Sequence, residues 1–220
     1  KKDFEVFIID DFASDTTFFE DFRNNLISGE NFHPNDQDGN IRTDQIKWID
    51  VNEKIKTNCN FTRSMVFYLK NLGVVLGGCI NLSIPPFFQC GLYNGNGSKY
   101  IKHRDNKPST RFNIDDDALW LVHSHQRQRY LTCILYLTPK VWKPEDGGYL
   151  RCYLGCDSND DDGYSANTVI DIAPLFGRLV VFKSQQVLHE VLPTYRPNRL
   201  AVTAWLLKDD NSRITKESDR

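Results

Sequence analysis

The sequence lacks long apolar runs and lacks an excess of charge of either sign. Its longest apolar runs, LGVVLGG and RLVVF, are far shorter than the roughly 20 residues that a membrane-spanning helix needs. Its 27 Lys and Arg residues nearly balance its 29 Asp and Glu residues, which argues against a broad phosphate-binding face. The opening residues KKDFEVFIIDDF contain no apolar region of the signal-peptide type. We therefore expect no membrane segment and no nucleic-acid partner.

Cysteine pairs with CxxC spacing are also absent. The six cysteines are Cys59, Cys79, Cys90, Cys133, Cys152 and Cys156. Two of them, Cys133 and Cys152, lie inside apolar runs that are typical of strands, where cysteine is usually a buried thiol. The cysteines therefore indicate a reducing compartment rather than a disulfide framework. We predict a cytoplasmic protein, with the nucleus as a further compartment.

Short apolar or alternating segments recur after residue 87, separated by Gly, Pro, Asn and Asp. There are eight of them, at 87–93, 99–104, 130–138, 148–154, 168–172, 178–183, 187–192 and 199–207. Eight such strands are typical of a jelly roll or barrel. The sequence therefore predicts a mainly β fold with flanking helices.

The residues before 87 have a different pattern. They predict a strand at 4–9, a helix within 14–29, a strand at 41–49 and a second helix at 62–76. We therefore expect one domain over residues 1–220. Its residues 1–86 would form a strand and helix support, and its residues 87–208 would form the jelly-roll core.

The stretch YNGNGSKYIKHRD, residues 93–105, ends in His-x-Asp. Residues i and i+2 of a strand face the same side. His103 and Asp105 can therefore bind one ion together, with Arg104 turned away. A simple hydrogen-bonded pair explains the same spacing, so this motif by itself decides nothing.

A third candidate ligand, His189, lies in the late strand-like run VLHEVLP. An early and a late strand of a jelly roll can lie side by side, which would bring His189 to His103 and Asp105. Two imidazoles and one carboxylate form the facial triad of non-haem Fe(II) oxygenases, although zinc accepts the same donors.

Arg199 begins a strand whose alternate residues Ala201 and Thr203 face the same way. A buried arginine needs an anion. 2-Oxoglutarate can serve both as a ligand of the metal and as the anion for Arg199. One end can chelate iron while its other carboxylate pairs with a guanidinium.

Two other motifs could bind a metal but have no partner cluster. His123 and His125 form an HxH pair in LVHSHQ, which we interpret as part of a surface strand or loop. The acidic runs at 115–117 and 157–163 lack the spacing of a calcium loop, and we interpret both as solvated loop tips.

Five motifs carry a family resemblance, and their order makes the set specific. They are IRTDQIKWI, YNGNGSKYIKHRDN, RYLTCILYL, GGYLR and LHEVLPTYRPNRLAVTAWLL. Together they resemble the 2-oxoglutarate- and Fe(II)-dependent prolyl 4-hydroxylases of the oxygen-sensing type, from about residue 41 to residue 207. Members of this family act on hypoxia-inducible factor in animals. Related cytoplasmic enzymes of protists act on a proline of the adaptor subunit of an SCF ubiquitin ligase.

The resemblance implies a double-stranded β-helix that uses Fe(II), O₂ and 2-oxoglutarate, with ascorbate as a reductant. The partner would be a protein substrate bearing the target proline, and the enzyme would be a monomer. The implied metal ligands are His103, Asp105 and His189. The implied cosubstrate residues are Arg199, Tyr136, Tyr93, Thr203, Ile134 and Leu150. The implied substrate residues are Tyr100, Trp205, Arg129, Arg42 and Asp44.

Several of these residues have a plain structural interpretation as well. Ile134 and Leu150 would be core residues in any β fold, and Tyr136 and Trp205 could be ordinary packing aromatics. Arg42 and Asp44 could form a surface ion pair of little energy.

The sequence departs from the animal pattern around the expected peptide face. The segment 106–128 is longer, Asn94 stands where animal enzymes tend to have proline, and the run 157–163 adds acidic residues. These changes favour a substrate of the protist type. Two rival functions are an oxygenase of the same chemistry on another substrate, and a non-catalytic jelly-roll module that binds zinc or no metal.

Overall fold

The computed structural model describes residues 5–12, 16–29, 31–34, 41–77, 81–106 and 129–208. The HxH pair at 123 and 125 and the acidic run at 115–117 lie outside the described residues. None of the helices in the described ranges has both the length and the apolar character that crossing a bilayer requires.

The described ranges contain twelve strands and three α-helices. The strands are β1 (Val6–Ile9), β2 (His33–Pro34), β3 (Gln45–Asp50), β4 (Leu82–Ser83), β5 (Phe87–Tyr93), β6 (Ser98–His103), β7 (Arg129–Tyr136), β8 (Leu150–Leu154), β9 (Thr168–Ile172), β10 (Leu179–Lys183), β11 (Leu188–Thr194) and β12 (Arg199–Lys208). The helices are α1 (Thr17–Ser28), α2 (Val51–Lys56) and α3 (Asn60–Gly77).

The strands form two antiparallel sheets. The larger sheet has the order β1-β10-β7-β12-β5-β3-β2, with β4 paired to β12, and the smaller sheet has the order β6-β11-β8-β9. The eight predicted segments correspond to β5–β12, with ends that agree to within two residues. The predicted mainly β, jelly-roll fold is confirmed.

Alternate residues of β7 face two different apolar clusters. Cys133 and Leu135 belong to a cluster that fills the space between the larger sheet and the helices. Ile134 and Tyr136 belong to a cluster between the two sheets. Because both faces of β7 are covered, its sequence is almost continuously apolar instead of alternating. The same arrangement turns Ile134 and Tyr136 toward the space between the sheets, where the candidate site lies.

The helical part of the prediction was incomplete. The predicted helix at 62–76 is present as α3, but α2 was not predicted. This short helix begins directly after β3, where the Asp50 side chain accepts a hydrogen bond from the Glu53 amide at 2.9 Å. Such a cap satisfies one of the free amides of a helix start.

Candidate active site

Strands β6 and β11 bring two histidines together across the smaller sheet. His103 and His189 are directly paired in the antiparallel register, and their ring centres are 4.2 Å apart. Asp105 lies just past the end of β6, and its carboxylate oxygens are 3.8 Å from the Nε2 atom of each imidazole. The three potential ligand atoms all lie within 4.8 Å of one another. The structure thus brings together the three residues that the sequence singled out as metal ligands.

An irregularity in β6 aims these side chains. His189 pairs with His103 while Val191 pairs with Tyr100, so two steps along β11 correspond to three along β6. A β-bulge of this kind re-aims side chains and is common beside active sites. It turns Tyr100 and His103 to the same side, where their rings stack with centres 3.7 Å apart. Because β6 ends at His103, Asp105 lies in the segment after the strand, so the i and i+2 geometry of a regular strand does not hold for this pair.

Backbone carbonyls fix the orientation of both imidazoles. The Nδ1 atom of His103 is 2.8 Å from the carbonyl oxygen of Ile101, and that of His189 is 3.1 Å from the carbonyl oxygen of Val187. A carbonyl can only accept, so each Nδ1 carries the proton and each Nε2 presents a lone pair. Metal-binding histidines are commonly oriented in this way.

The protonation states also suit a cation. Burial and the neighbouring His189 lower the pKa of His103 to about 3, so this imidazole is neutral at physiological pH. Burial acts to raise the pKa of Asp105, but His189, His103 and Arg129 together with a hydrogen bond from Thr132 lower it. The Thr132 hydroxyl donates to Asp105 Oδ2 at 2.7 Å. The site therefore offers a neutral His103 imidazole and an ionised carboxylate.

A buried guanidinium lies at the start of β12. Arg199 is only 1% exposed, and its Nε atom donates to the Gly148 carbonyl at 2.6 Å. Its Cζ atom is 4.7 Å from the ring centre of Tyr93 and 5.2 Å from that of Tyr136. The buried Tyr136 hydroxyl has no hydrogen-bond partner among the described residues. Burial raises the pKa of Tyr136 to about 12, so it remains a neutral donor.

A cavity between the two sheets connects this guanidinium to the imidazole of His189. Ten residues predicted for the site line it, namely Arg42, Asp44, Tyr93, Tyr100, Ile134, Tyr136, Leu150, His189, Arg199 and Thr203. Ala201 lines it too, as its alternation with Arg199 and Thr203 predicted. Gln89, Gly91 and Val191 also line it but were not predicted. Gln89 and Gly91 share a face with Tyr93, so the period-two alternation of β5 was a usable signal.

Arg42 and Asp44 form a buried ion pair at the cavity. Arg42 Nε is 2.7 Å from Asp44 Oδ1, and Arg42 Nη2 is 2.6 Å from Asp44 Oδ2. The two side chains are 8% and 0% exposed. The alternative of a weak surface pair is therefore wrong. Arg42 also covers the Tyr100 ring, with its Cζ atom 4.3 Å from the ring centre.

Arg129 lies beside Asp105 and stacks on Trp205, and neither residue is among the cavity-lining residues. Arg129 stacks on Trp205 with its Cζ atom 3.7 Å from the indole centre, and its Nη1 atom donates to the Asp105 carbonyl at 3.4 Å. The buried Trp205 Nε1 atom has no hydrogen-bond partner within the described ranges. The ring centre of Trp48, a residue that is 47% exposed, is 6.1 Å from that of Trp205. An aromatic surface thus runs from the triad toward solvent.

Two supporting residues were missed although both lie in motifs quoted above. Thr132 of RYLTCILYL shares a face with Ile134 and Tyr136, so its position near the site followed from strand alternation. Gly148 of GGYLR has φ +67°. A Cβ atom there would overlap the Thr194 hydroxyl and lie 2.7 Å from Arg199 Cδ. Only glycine lets the backbone approach Arg199 this closely.

Comparison with known proteins agrees with this geometry. The sequence model of the 2OG-Fe(II) oxygenase superfamily matches residues 88–207. Mouse prolyl hydroxylase EGLN3 is 29% identical over 195 residues, covering 82% of this chain and 64% of that protein. The chain thus spans less than two thirds of this curated relative's length.

Two solved structures have the same fold. A prolyl-4-hydroxylase of Pseudomonas putida is 28% identical, with a TM-score of 0.64 and coverage of 93% of both chains. A prolyl hydroxylase of Trichoplax adhaerens was solved with a peptide of the hypoxia-inducible factor oxygen degradation domain. It is 26% identical, with a TM-score of 0.63 and coverage of 92% of this chain and 83% of that one. The predicted family resemblance is confirmed.

The residues present fit the groups that this family uses. The His-Asp-His donor set suits Fe(II) and leaves coordination positions open. At the other end of the cavity, the buried guanidinium of Arg199 and the unpaired hydroxyl of Tyr136 suit the distal carboxylate of 2-oxoglutarate. On the match over residues 88–207, this chain belongs to the 2OG-Fe(II) oxygenase superfamily, whose members use Fe(II), 2-oxoglutarate and O₂.

Proposed function

We propose that this protein is a prolyl 4-hydroxylase that acts on a protein substrate. It would convert a prolyl residue, 2-oxoglutarate and O₂ into hydroxyproline, succinate and CO₂. The observation that carries the proposal is one cavity lined both by His189 of the His-Asp-His triad and by a buried arginine. The similarity to prolyl hydroxylases supports the choice of proline among the possible substrates.

In this proposal the metal is held by His103, Asp105 and His189. Bound iron with 2-oxoglutarate would supply the oxygen chemistry, and the chain would supply position and a water-poor cavity. The ionised Asp105 and the two Nε2 lone pairs orient toward one point, and the carbonyl-bonded Nδ1 atoms keep them there. Ascorbate would serve as a reductant.

The cosubstrate would lie along the cavity. Arg199 and Tyr136 would donate to its distal carboxylate, because a buried cation and a buried unpaired hydroxyl both need an acceptor. Ile134 and Leu150 are 8% and 1% exposed, and they would form the apolar walls around its methylene groups. The cavity-lining residues Tyr93 and Thr203 would complete the pocket.

The peptide would lie along the aromatic surface beside the triad. Tyr100 stacks on His103, so a proline ring near the metal would meet an aromatic face. The indole N–H of Trp205 has no hydrogen-bond partner within the described ranges, so it is free to donate to a carbonyl of the peptide. Arg129 stacks on this indole and holds it in place. The buried pair of Arg42 and Asp44 would close the cavity on the substrate side.

We further propose a cytoplasmic monomer, with a single domain and a core of residues 87–208. All five described cysteines are free thiols, which supports a reducing compartment. The favoured substrate is the adaptor subunit of an SCF ubiquitin ligase. The sequence departures at Asn94, 106–128 and 157–163 support this choice.

The test is anaerobic loading with Fe(II) and 2-oxoglutarate, followed by exposure to O₂ with a panel of proline peptides. We expect succinate and a peptide product that is heavier by one oxygen atom. His103→Ala or Asp105→Ala should abolish both products, and Arg199→Ala should sharply raise the 2-oxoglutarate requirement. Near-normal succinate production by either triad variant would overturn the metal assignment. Oxygen incorporation into lysine or a small molecule instead of proline would overturn the substrate class alone.

A further inference from the structure

Arg104 lies between two of the three proposed metal ligands and is itself buried. Its side chain is 1% exposed and points away from the triad into the loop that follows β8. We call residues 156–165 the acidic loop. Arg104 Nη1 is 3.1 Å from Asp161 Oδ1, and Nη2 donates to the Asp157 carbonyl at 2.8 Å. The guanidinium also lies 3.6 Å from the Cys156 sulfur.

The acidic loop is internally organised around one carboxylate. Asp160 accepts hydrogen bonds from the amides of Asp162, Gly163 and Ser165 at 2.9, 2.8 and 2.6 Å, and from the Ser165 hydroxyl at 2.7 Å. The Ser165 hydroxyl in turn accepts from the Asp157 amide at 2.9 Å. The run 157–163 is mostly exposed, as expected of a loop tip, but these hydrogen bonds also give it a defined backbone conformation. Its Asp157 carbonyl and Asp161 carboxylate accept from Arg104.

A second cation fastens the same strand to the loop. Lys102 Nζ donates to the Asp162 carbonyl at 2.8 Å, and it lies 5.0 Å from the ring centre of Tyr153. Lys102 and Arg104 are the two neighbours of His103 in the sequence. The acidic loop therefore binds the outer side of the segment whose inner side presents the ligands.

Strand pairing alone does not fix this segment. β6 ends at His103, so Arg104 and Asp105 lie beyond the regular hydrogen bonds of the smaller sheet. The next backbone–backbone hydrogen bond is that of the Asn106 amide to the Ser184 carbonyl at 3.1 Å, and the Asp105 carbonyl accepts only a longer bond of 3.4 Å from Arg129. Arg104 supplies an anchor between these two points.

We propose that Arg104 is a positioning residue, whose anchorage in the acidic loop holds His103 and Asp105 in the geometry that binds the metal. This inference rests on the proposed function, because it assumes that the triad binds a metal. Groups that orient metal ligands typically change metal affinity by about 10- to 100-fold when they are mutated. We therefore expect Arg104→Leu to weaken Mn(II) binding by about this factor.

The matched control is Arg151→Leu. Arg151 also lies in the smaller sheet and forms a two-bond ion pair, with Asp171 at 2.7 and 2.8 Å. Both side chains of this pair are at least about one third exposed. This variant should leave Mn(II) affinity unchanged within about twofold, because exposed ion pairs contribute little.

The measurement is the Mn(II) dissociation constant by titration calorimetry with 2-oxoglutarate present. The anaerobic absorption band of the Fe(II)–2-oxoglutarate complex is the second readout. If Arg104 were important only for folding, Arg104→Leu would lower the unfolding temperature of the metal-free protein. Its folded fraction would still have the wild-type Mn(II) dissociation constant and absorption band. Asp160→Ala provides an independent variant, since it disorganises the loop and leaves Arg104 in the chain. It also serves if Arg104→Leu does not fold.

The double variant tests whether the loop acts through Arg104. Coupled residues are non-additive, so Arg104→Leu with Asp160→Ala should bind Mn(II) no more weakly than Arg104→Leu alone. If folded Arg104→Leu binds Mn(II) as tightly as the wild type, the inference is overturned and the proposed function stays intact. The same result in Asp160→Ala has this meaning if Arg104→Leu does not fold. Full additivity would overturn the role of the loop. A wild-type protein that does not bind Mn(II) would overturn the proposed function together with the inference.

Discussion

The hydroxyl of Thr132 donates to Asp105 Oδ2 at 2.7 Å and lies 2.9 Å from the hydroxyl of Ser184. Thr132 and Ser184 are both fully buried. Strand β7, in the larger sheet, therefore orients the carboxylate of Asp105, which follows β6 of the smaller sheet. The two sheets share the construction of one metal site.

Thr132→Val should weaken Mn(II) binding by about 10- to 100-fold, because it removes the donor that orients Asp105. It should also cost about 1–3 kcal/mol of unfolding free energy, since Ser184 loses a buried partner. Titration calorimetry and urea unfolding measure the two effects. Thr138→Val is the control, since it removes a buried bond to the Pro174 carbonyl and should affect stability without affecting metal affinity. Equal Mn(II) affinities in the two variants would contradict the prediction.

Gly148→Ala should raise the 2-oxoglutarate concentration that gives half-maximal succinate production. The added Cβ would collide with Thr194 and displace Arg199. A hydrogen bond to a charged group contributes about 1.5–3 kcal/mol, so the expected increase is about 10- to 100-fold. Gly177→Ala is the control, because Gly177 also has a positive φ (+79°) but has no atom within 4 Å of the new Cβ. It should cost about 1–2 kcal/mol of stability with little change in the 2-oxoglutarate requirement.

Asp44→Asn should destabilise the protein by about 3–5 kcal/mol, because it leaves the Arg42 charge buried without its partner. Replacing both members of the pair by apolar side chains, Arg42→Met together with Asp44→Leu, should cost much less. Asp171→Asn is the matched exposed case, with an expected loss of about 1 kcal/mol or less. Urea unfolding at neutral pH distinguishes them. A small effect of Asp44→Asn would show that the pair is not desolvated in solution.

The metal-free protein should lose stability as the pH falls. The pKa of His103 is lowered to about 3 in the folded protein, whereas an unfolded chain has a histidine pKa of about 6.5. Between these values the unfolded chain binds more protons, so this group lowers the unfolding free energy by about 1.4 kcal/mol per pH unit. His103→Gln should show a correspondingly weaker decline between pH values of about 6.5 and 4.5 when urea unfolding is measured with a chelator. Identical pH profiles would contradict the lowered pKa.

Strand alternation predicted most of the fold, and it placed His103 with Asp105 and Arg199 with Thr203. The metal ligands were identified because His and Asp side chains are suited to binding cations, whereas Ile134 and Tyr136 were identified from the family resemblance. Tertiary features were not predictable in the same way. The bulge in β6 depends on its register with β11, and the contact of the acidic loop with Arg104 joins residues more than fifty positions apart in the chain.

The buried state of Arg42 and Asp44 was also beyond the sequence. Two opposite charges at i and i+2 look the same whether water or a sheet surrounds them. The outcome depends on β5 and β6, which pack around the pair only in the folded protein. The free-energy cost of burying a charged side chain is offset where that side chain has a specific partner.

The position of β12 in the larger sheet has a consequence for how the protein is made. This strand is the latest of the described strands in the chain, yet it lies in the interior of the sheet between β5 and β7. During translation, the edges of β5 and β7 stay unpaired until β12 leaves the ribosome. Arg199 arrives with the same strand, so a nascent chain that stalls before it would have an open, aggregation-prone sheet and no anion receptor.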